Sequence, residues 1–268
     1  MLSVVVIAKN EQEIIKACLE SIKWAGELIV MLNDSTDQTE EIAKKYTKNI
    51  YRVEGLDFGE LRNRAMQKST GDWVLYVDAD ERVLEPLKNE VLQIVSSSDK
   101  SAYALSRINI IFGREVHYGP YRHDWMIRLF KKDKFKTWVG KVHEYGTFDG
   151  ALGYTKNSLL HLTHRNIDQF ILKSLDWSKI DAKLRLDSGH PKMTKWRFIR
   201  ILLTELYHQG VTRRGFFGGT VGIIDSILQT LSLYMTYVRL WEMQQEQPLD
   251  EIYKDIDRKL MANGFNFR

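Results

Sequence analysis

Short β-branched runs and helical stripes of apolar residues alternate along the N-terminal part of the chain. Leu2 to Ile7 is a nearly continuous apolar run, the pattern of a buried strand. Asn10 is placed to cap a helix over about Glu11 to Ala25, on which Ile14, Ile15, Cys18, Leu19 and Ile22 recur at helical spacing. Leu28 to Leu32 reads as a second strand, and the polar turn Asn33 to Thr39 starts a helix running towards Tyr46. Ile50 to Val53 is a third strand, Phe58 to Lys68 a helix, and Gly71-Asp72 a turn into the run Trp73 to Val77. This alternation predicts an α/β fold with a mainly parallel sheet flanked by helices. Such sheets bind ligands at the C-terminal ends of their strands, where the polar clusters around Asn10, Asp34 and Asp78 all fall.

From about Asp168 the pattern changes to long helices: Phe170 to Leu186, Trp196 to Tyr207, Phe217 to about Met243, and Leu249 to Met261. This predicts a helical C-terminal appendage.

The chemistry concentrates where the run from Trp73 ends in Asp78-Ala79-Asp80-Glu81. In an extended backbone residues i and i+2 share a face, so Asp78 and Asp80 are expected to converge on one hard cation, Mn²⁺ or Mg²⁺, that holds phosphate. The alternative is that Asp80 or Glu81 caps a helix starting near Glu85-Pro86 while Asp78 is solvated. No glycine-rich turn of dinucleotide or P-loop type follows the first strand, so phosphate must be held in another way. Arg122 to Phe130 reads as a strand with Arg122, Asp124, Met126 and Arg128 on one face. There Arg128 meets a phosphate, orients a carboxylate, or simply pairs with an aspartate on a solvated strand. His161 and His164 flank an apolar run and are read as structural in preference to third metal ligands.

Taken together, these motifs resemble those of the family 2 glycosyltransferases of A-type fold, above all the small bacterial enzymes of lipopolysaccharide-core and capsule assembly, including the core β-1,4-glucosyltransferase. Val6 to Glu11 is similar to the family's opening nucleotide-binding strand, Ser35 to Thr39 to its second turn, and Phe58-Gly59 with Arg62-Asn63 and Ala65 to its next helix. Asp72 to Glu81 resembles the metal motif, while Asp124-Trp125, Arg128 to Phe130, and Val142-His143-Glu144 resemble acceptor-side motifs. The likeness spans roughly the first two-thirds of the chain and is loose beyond about Lys173. It implies a catalytic domain over 1–167, with a nucleotide-sugar half at 1–100 and an acceptor half at 101–167, followed by the helical region 168–268.

The resemblance also implies an inverting transfer of a sugar from a nucleotide-diphosphate donor to a glycan or lipid-linked acceptor in cell-envelope polysaccharide synthesis. Ala8, Asn10, Glu11, Asn33, Asp34, Arg62, Asp78, Ala79 and Asp80 are the implied donor-side residues, with the metal on Asp78 and Asp80. Trp125, Arg128 and His143 are placed on the acceptor or phosphate side, His143 orienting its neighbour, bonding sugar hydroxyls, or serving only structure. For the base the resemblance offers Glu144 first and Asp124 second, and no spacing separates them. Family members commonly carry an aspartate after the second strand, where this chain has Leu32-Asn33. Asn33 or Asp34 is expected to substitute, with a uridine diphosphate sugar favoured.

Composition adjusts the picture only in part. A chain of 268 residues with 44% hydrophobic content buries a full core, and the one cysteine, Cys18, sits on an apolar helix face and fits a reducing cytoplasm. The N-terminus lacks the charged region and long apolar segment of a signal peptide. The net charge of +4 is small and spread out, with no RNA-binding or zinc-finger signature, so no specific nucleic-acid partner is expected. Lys192, Lys195, Arg197, Arg200, Arg213 and Arg214, interleaved with Trp196, Phe216 and Phe217, suit peripheral attachment to an anionic membrane, or else a packed bundle or homodimer interface. Polar residues interrupt Phe216 to Leu240, which argues against a membrane span. The competing functional readings are a sugar-phosphate nucleotidyltransferase, usually marked by a glycine-rich loop, and a non-catalytic carbohydrate-binding or nucleic-acid-binding protein.

Overall fold

The computed structural model describes residues 1–140, 144–262 and 264–265. The chain forms two compact units, one of Met1–Val116 with Pro120–Thr163, the other of His117–Gly119 with His164–Arg268.

In the first unit β1 (Leu2–Ala8) is buried at every position and pairs in parallel with β2 (Glu27–Asn33) on one side and β4 (Trp73–Asp78) on the other. That placement explains its nearly unbroken apolar character, interrupted only by Ser3, since a central parallel strand is covered on both faces. β3 (Asn49–Val53) extends the parallel half beyond β2. Beyond β4 the sheet turns mixed: β8 (Trp125–Lys131) is antiparallel to β4, β6 (Ala102–Ile111) is antiparallel to β8, and β11 (Leu152–Thr163) is parallel to β6. Two short strands complete it, β5 (Glu81–Arg82) on β11 and β7 (Arg114–Val116) on β6. A separate ribbon joins β9 (Phe135–Val139) to β10 (Tyr145–Phe148).

Side-chain alternation splits the core between the two faces. Val4, Val6, Leu75 and Val77 pack with Ile15, Leu19 and Ile22 of α1 (Ile15–Ile22) and with Leu87 and Val91 of α4 (Glu85–Ser97). Val5, Val74 and Tyr76 pack with Leu61 and Ala65 of α3 (Phe58–Lys68), beside Phe130 and Trp138. The helix α2 (Thr39–Ala43) lies between β2 and β3.

Three expectations change. α1 starts at Ile15, not near Glu11, because Asn10 adopts a left-handed backbone (φ 55°) and does not cap it. α4 has Leu84 at its N-cap and Pro86 in its first turn, so neither Asp80 nor Glu81 caps it. Arg122 lies in a 3₁₀ turn, Gly119–His123, and the strand begins only at Trp125, so Arg122 does not share a strand face with Arg128.

The second unit is helical: α5 (Ile167–Asp187), α6 (Lys195–Tyr207), α7 (Gly219–Met243) and α8 (Leu249–Ala262). Asn166 and Thr194 cap α5 and α6, as short polar side chains do at helix starts. Arg185 binds Tyr237 Oη at 2.9 Å and Arg239 Nε donates to Ser178 Oγ at 2.8 Å, joining α5 to α7.

Candidate functional site

The loops after β1 and β2 are sewn together. Asn10 Oδ1 accepts from Thr36 N at 2.8 Å, Glu11 N donates to Thr39 Oγ1 at 2.8 Å, and Gln12 N donates to Asp37 Oδ2 at 3.1 Å. Burial works to raise the Asp37 carboxyl, but hydrogen bonds from Thr39 and Gln12 outweigh it and hold it below its ordinary range. Asp34 is also left-handed (φ 50°), 3.7 Å from Lys9 Nζ. Asn33 commits its amide nitrogen to Leu56 O at 3.2 Å, and its buried Oδ1 has no hydrogen-bond partner among the described residues. Ala8, fully inside, accepts from Ser35 Oγ through its carbonyl at 3.4 Å.

At the tip of β4, Asp78 is gripped by two guanidiniums. Arg62 Nη2 lies 2.9 Å from Oδ1 and Arg128 Nη2 lies 2.6 Å from Oδ2. Burial would raise the Asp78 carboxyl; the charges of Arg128 and then Arg62 prevail and hold it well below the carboxylate range. The same Arg62 donates from Nε to Glu144 Oε1 at 2.9 Å, and it lies over the rings of Tyr76 and Trp138 at 5.4 and 5.0 Å. Glu144 Oε2 has no hydrogen bond among the described residues. Arg128 is 3% exposed, yet its Nε and Nη1 have no hydrogen-bond partner among the described residues. A buried donor left unmade is costly, so the N–H groups on those two nitrogens call for an anionic ligand.

A second network runs alongside. Arg107 holds Asp124 in a two-pronged pair, Nε to Oδ2 and Nη2 to Oδ1, each 2.9 Å, and Asn109 Nδ2 adds a bond of 3.0 Å to Oδ2. Because the carboxylate only accepts, the amide oxygen of Asn109 must face His161, whose Nδ1 lies 2.7 Å away and therefore donates. His161 Nε2 then faces Asp80 Oδ2 at 3.4 Å. Glu81, with no exposure, joins the two networks: it accepts from Asp78 N at 2.9 Å and lies 3.4 Å from Arg107 Nη1. Burial first, and Asp78 second, push its carboxyl above the ordinary range.

Asp78, Arg62, Arg128 and Glu144 are thus brought into one cluster, and Asp80 and Asp124 into its neighbour. β4 ends at Asp78 and Ala79-Asp80 form a turn, so the strand alternation that would set Asp78 and Asp80 on one face stops between them. Ala79 is buried and its carbonyl receives Arg82 Nη1 at 2.9 Å. Trp125 is exposed and meets Tyr154 edge-on at 5.3 Å. His143 lies outside the described residues. His164 belongs to the helical unit, 3.7 Å from Asp225. Sequence reasoning passed over Arg107 and Asn109, although they stand two apart in an otherwise largely apolar strand, the spacing of one face, and it read Glu81 within the carboxylate motif or as a helix cap, not as the link between the two networks.

Among the described residues no group of three His, Cys, Asp or Glu side chains is arranged to hold a metal. Both oxygens of Asp78 are already in ion pairs. Asp80 and His161 fit better: neighbouring ligands at about 2.1 Å from one ion sit about 3 Å apart, close to their 3.4 Å.

Comparison with known proteins gives a match of residues 3–152 to the model of a family described as glycosyl transferase family 2. An uncharacterised glycosyltransferase of Rickettsia conorii is 24% identical over 90% of each chain. The lipopolysaccharide core biosynthesis glycosyltransferase LpsC of Rhizobium meliloti is 24% identical, covering 90% of this chain and 92% of that one. A crystal structure of glucosyl-3-phosphoglycerate synthase from Mycobacterium tuberculosis with Mn²⁺, uridine diphosphate and glucosyl-3-phosphoglycerate aligns with 41% of this chain and 44% of that one, at 25% identity and a TM-score of 0.35.

Proposed function

The chain belongs to glycosyl transferase family 2, and from that premise we propose that it is an inverting, metal-assisted enzyme moving a sugar from a uridine diphosphate donor to a glycan or lipid-linked acceptor. The observation that carries the reading is Glu144, which keeps one oxygen open while Arg62 ties the other to the Asp78 strand tip. An inverting transfer needs a carboxylate within reach of the acceptor hydroxyl, and a neutralised leaving diphosphate on the opposite side of the anomeric carbon. Glu144 Oε2 takes the hydroxyl proton as the oxygen attacks, and the bond to the diphosphate breaks. Asp124 is unsuited to that role because both of its oxygens are bonded, so it positions Arg107 and Asn109.

Arg128 turns its unpartnered Nε and Nη1 to the diphosphate, and Asp78 holds Arg128 and Arg62 in place for it. Asp80 and His161 would hold Mn²⁺ or Mg²⁺, which supplies Lewis-acid stabilisation of the leaving group. Asn33 supports uracil: with its amide nitrogen engaged by Leu56, it offers only an acceptor, which matches the N3–H of uracil and not the bare N3 of cytosine. Asn10, Glu11 and Asp34 shape the loops that border this base site. Trp125 and His143 remain on the acceptor side of the proposal. The kinship with LpsC favours a cell-envelope glycan as product and a cytoplasmic enzyme working near the membrane.

The test is a transfer assay with uridine diphosphate sugars and envelope-derived acceptors. Release of uridine diphosphate with inversion at the anomeric carbon supports the reading; release of pyrophosphate from a sugar phosphate and a nucleoside triphosphate sinks it.

A further inference from the structure

The helical unit is built with its polarity reversed. The buried positions of α7 are Gly222, Asp225, Ser226, Thr230, Thr236 and Leu240, nearly all small or polar. Its exposed side chains include Ile223, Ile227, Leu231 and Val238, which helical spacing gathers into one stripe. α5 is similar beyond its first turn, burying Ser174, Ser178 and Ala182 after Phe170 while Leu172 stands exposed. Among the described residues the core of this unit is small: Ala182, Met193 and Leu240 with a few partly buried neighbours, and Phe170 and Tyr118 besides. A bundle surrounded only by water places its large apolar chains inside and its polar ones outside. Small residues between helices and large apolar ones facing outward are the arrangement used next to lipid.

α6 sharpens this. Phe198 turns inward and meets Tyr234 of α7 at 5.7 Å, which joins α6 to the side of α7 that carries the apolar stripe. On the outer side of α6, Trp196, Leu203 and Tyr207 are 68, 60 and 63% exposed and fall in one stripe at i, i+7 and i+11, with Arg200 next to it and Lys195 about a quarter turn round the helix. Between 188 and 218 the chain has six Lys and Arg residues against a single acid, Glu205. Lys192, Lys195, Arg197, Arg200 and Arg214 form no ion pair with any described residue.

We propose that the outward faces of α6 and α7 are a docking surface for an anionic lipid bilayer, with both helices lying in the plane of the interface. Trp196, Leu203 and the α7 stripe enter the boundary between headgroups and acyl chains, while Lys195 and Arg200 meet lipid phosphates. The cations decide against a second copy of the chain, because an isologous contact would bring two uncompensated positive sets into one interface. α7 is long and apolar enough to cross a membrane. Its apolar stripe nonetheless occupies one side only, while Asp225, Ser226 and Thr230 on other sides are buried in protein, which is the geometry of a helix lying in the interface. The proposal goes beyond the transfer reaction and does not depend on it.

The test is flotation of the full-length chain with vesicles of phosphatidylglycerol and phosphatidylethanolamine, compared with pure phosphatidylcholine, without donor or acceptor. Capture by the anionic vesicles at low salt, released by high salt or alkaline carbonate, is expected. Lys195→Glu with Arg200→Glu should weaken capture at least about tenfold, and Trp196→Ser with Leu203→Ser should weaken it at unchanged charge. All four positions are exposed, so unaltered thermal unfolding will show that the variants keep their fold. Four results overturn the proposal: no capture at low salt, capture indifferent to the charge reversal, resistance to carbonate as a spanning helix would show, or a stable dimer in light scattering that Leu203→Glu dissociates.

Discussion

Arg62 Nε sits 2.9 Å from Glu144 Oε1, so the candidate base is oriented by the same guanidinium that holds the tip of β4. Glu144→Gln preserves shape and the bond from Arg62 but removes the basic oxygen. It should lower kcat by about 10²–10⁴-fold and leave donor affinity in place. Asp124→Asn should instead act through Arg107, reducing stability by about 3 kcal/mol with a smaller loss of turnover. Steady-state kinetics beside urea unfolding separates the two. A fully active Glu144→Gln together with a dead, stable Asp124→Asn would exchange their roles.

Arg62 itself is buried between two carboxylates and two aromatic rings. Removing one partner of a buried ionic cluster leaves uncompensated charge, so Arg62→Met should cost roughly 3–5 kcal/mol in urea unfolding. Arg62→Lys should recover little, because a single ammonium cannot repeat the Nε and Nη2 fork that reaches Glu144 and Asp78 at once. A loss below about 1 kcal/mol would mean the pair behaves like a surface one.

Periodicity made the parallel half legible because each of its strands and helices carries its own local pattern. The span of α3 and the burial of β1 follow directly from that pattern. What could not be read is what depends on partners far along the chain. Asn10 looked like a helix cap because its local context suits one, yet a contact to Thr36, 26 positions on, claims its side chain. Likewise Asp124 and Glu144 were equivalent as motif residues. Only the folded positions of Arg107 and Arg62 reveal that both oxygens of Asp124 are engaged, while Glu144 has a hydrogen bond at one oxygen alone among the described residues. His161 is a further case: its distance from Asp80 arises from β5 pairing with β11, a pairing two residues long that no periodicity announces.

The cation reading predicts that Asp80 and His161 act together. Uridine diphosphate with Mn²⁺ at about 100 times its dissociation constant should stabilise the native chain by about 2.7 kcal/mol, seen as a rise in thermal midpoint. Asp80→Ala and His161→Ala should each abolish the Mn²⁺-dependent part. An undiminished Mn²⁺ response in His161→Ala would remove the imidazole from the site and leave the cation with carboxylates and phosphate alone.

Acid should loosen the donor loops through Asp37. Its folded carboxyl titrates below its unfolded value, so the unfolded chain binds more protons in the window between them and stability rises with pH there. The contribution is complete above the unfolded value near 4 and is lost as pH falls through the folded one. Asp37→Asn should therefore be less stable than the parent at neutral pH, with the gap closing as pH drops below about 4. Urea unfolding across that range checks it, and a gap that is constant with pH would show that the Gln12 and Thr39 bonds do not depend on the charge.

Base choice rests on one oxygen. Asn33 Oδ1 is a buried acceptor without a donor among the described residues, and its amide cannot rotate to offer nitrogen without giving up Leu56 O. A base with N3–H satisfies it, whereas a base with a bare N3 places two acceptors face to face. Uridine diphosphate should accordingly bind at least about tenfold more tightly than cytidine diphosphate, in line with the roughly 1–3 kcal/mol cost of a buried group left unpaired. Asn33→Ala should shrink that ratio towards unity by weakening the uridine ligand, while Asn33→Asp, an acceptor on both oxygens, should keep the preference even as it strains against Leu56 O. Calorimetric titration of the two diphosphates against the three proteins gives the ratios. Equal affinity in the parent chain would take base selection away from Asn33 and put it on other groups in the loop after β2.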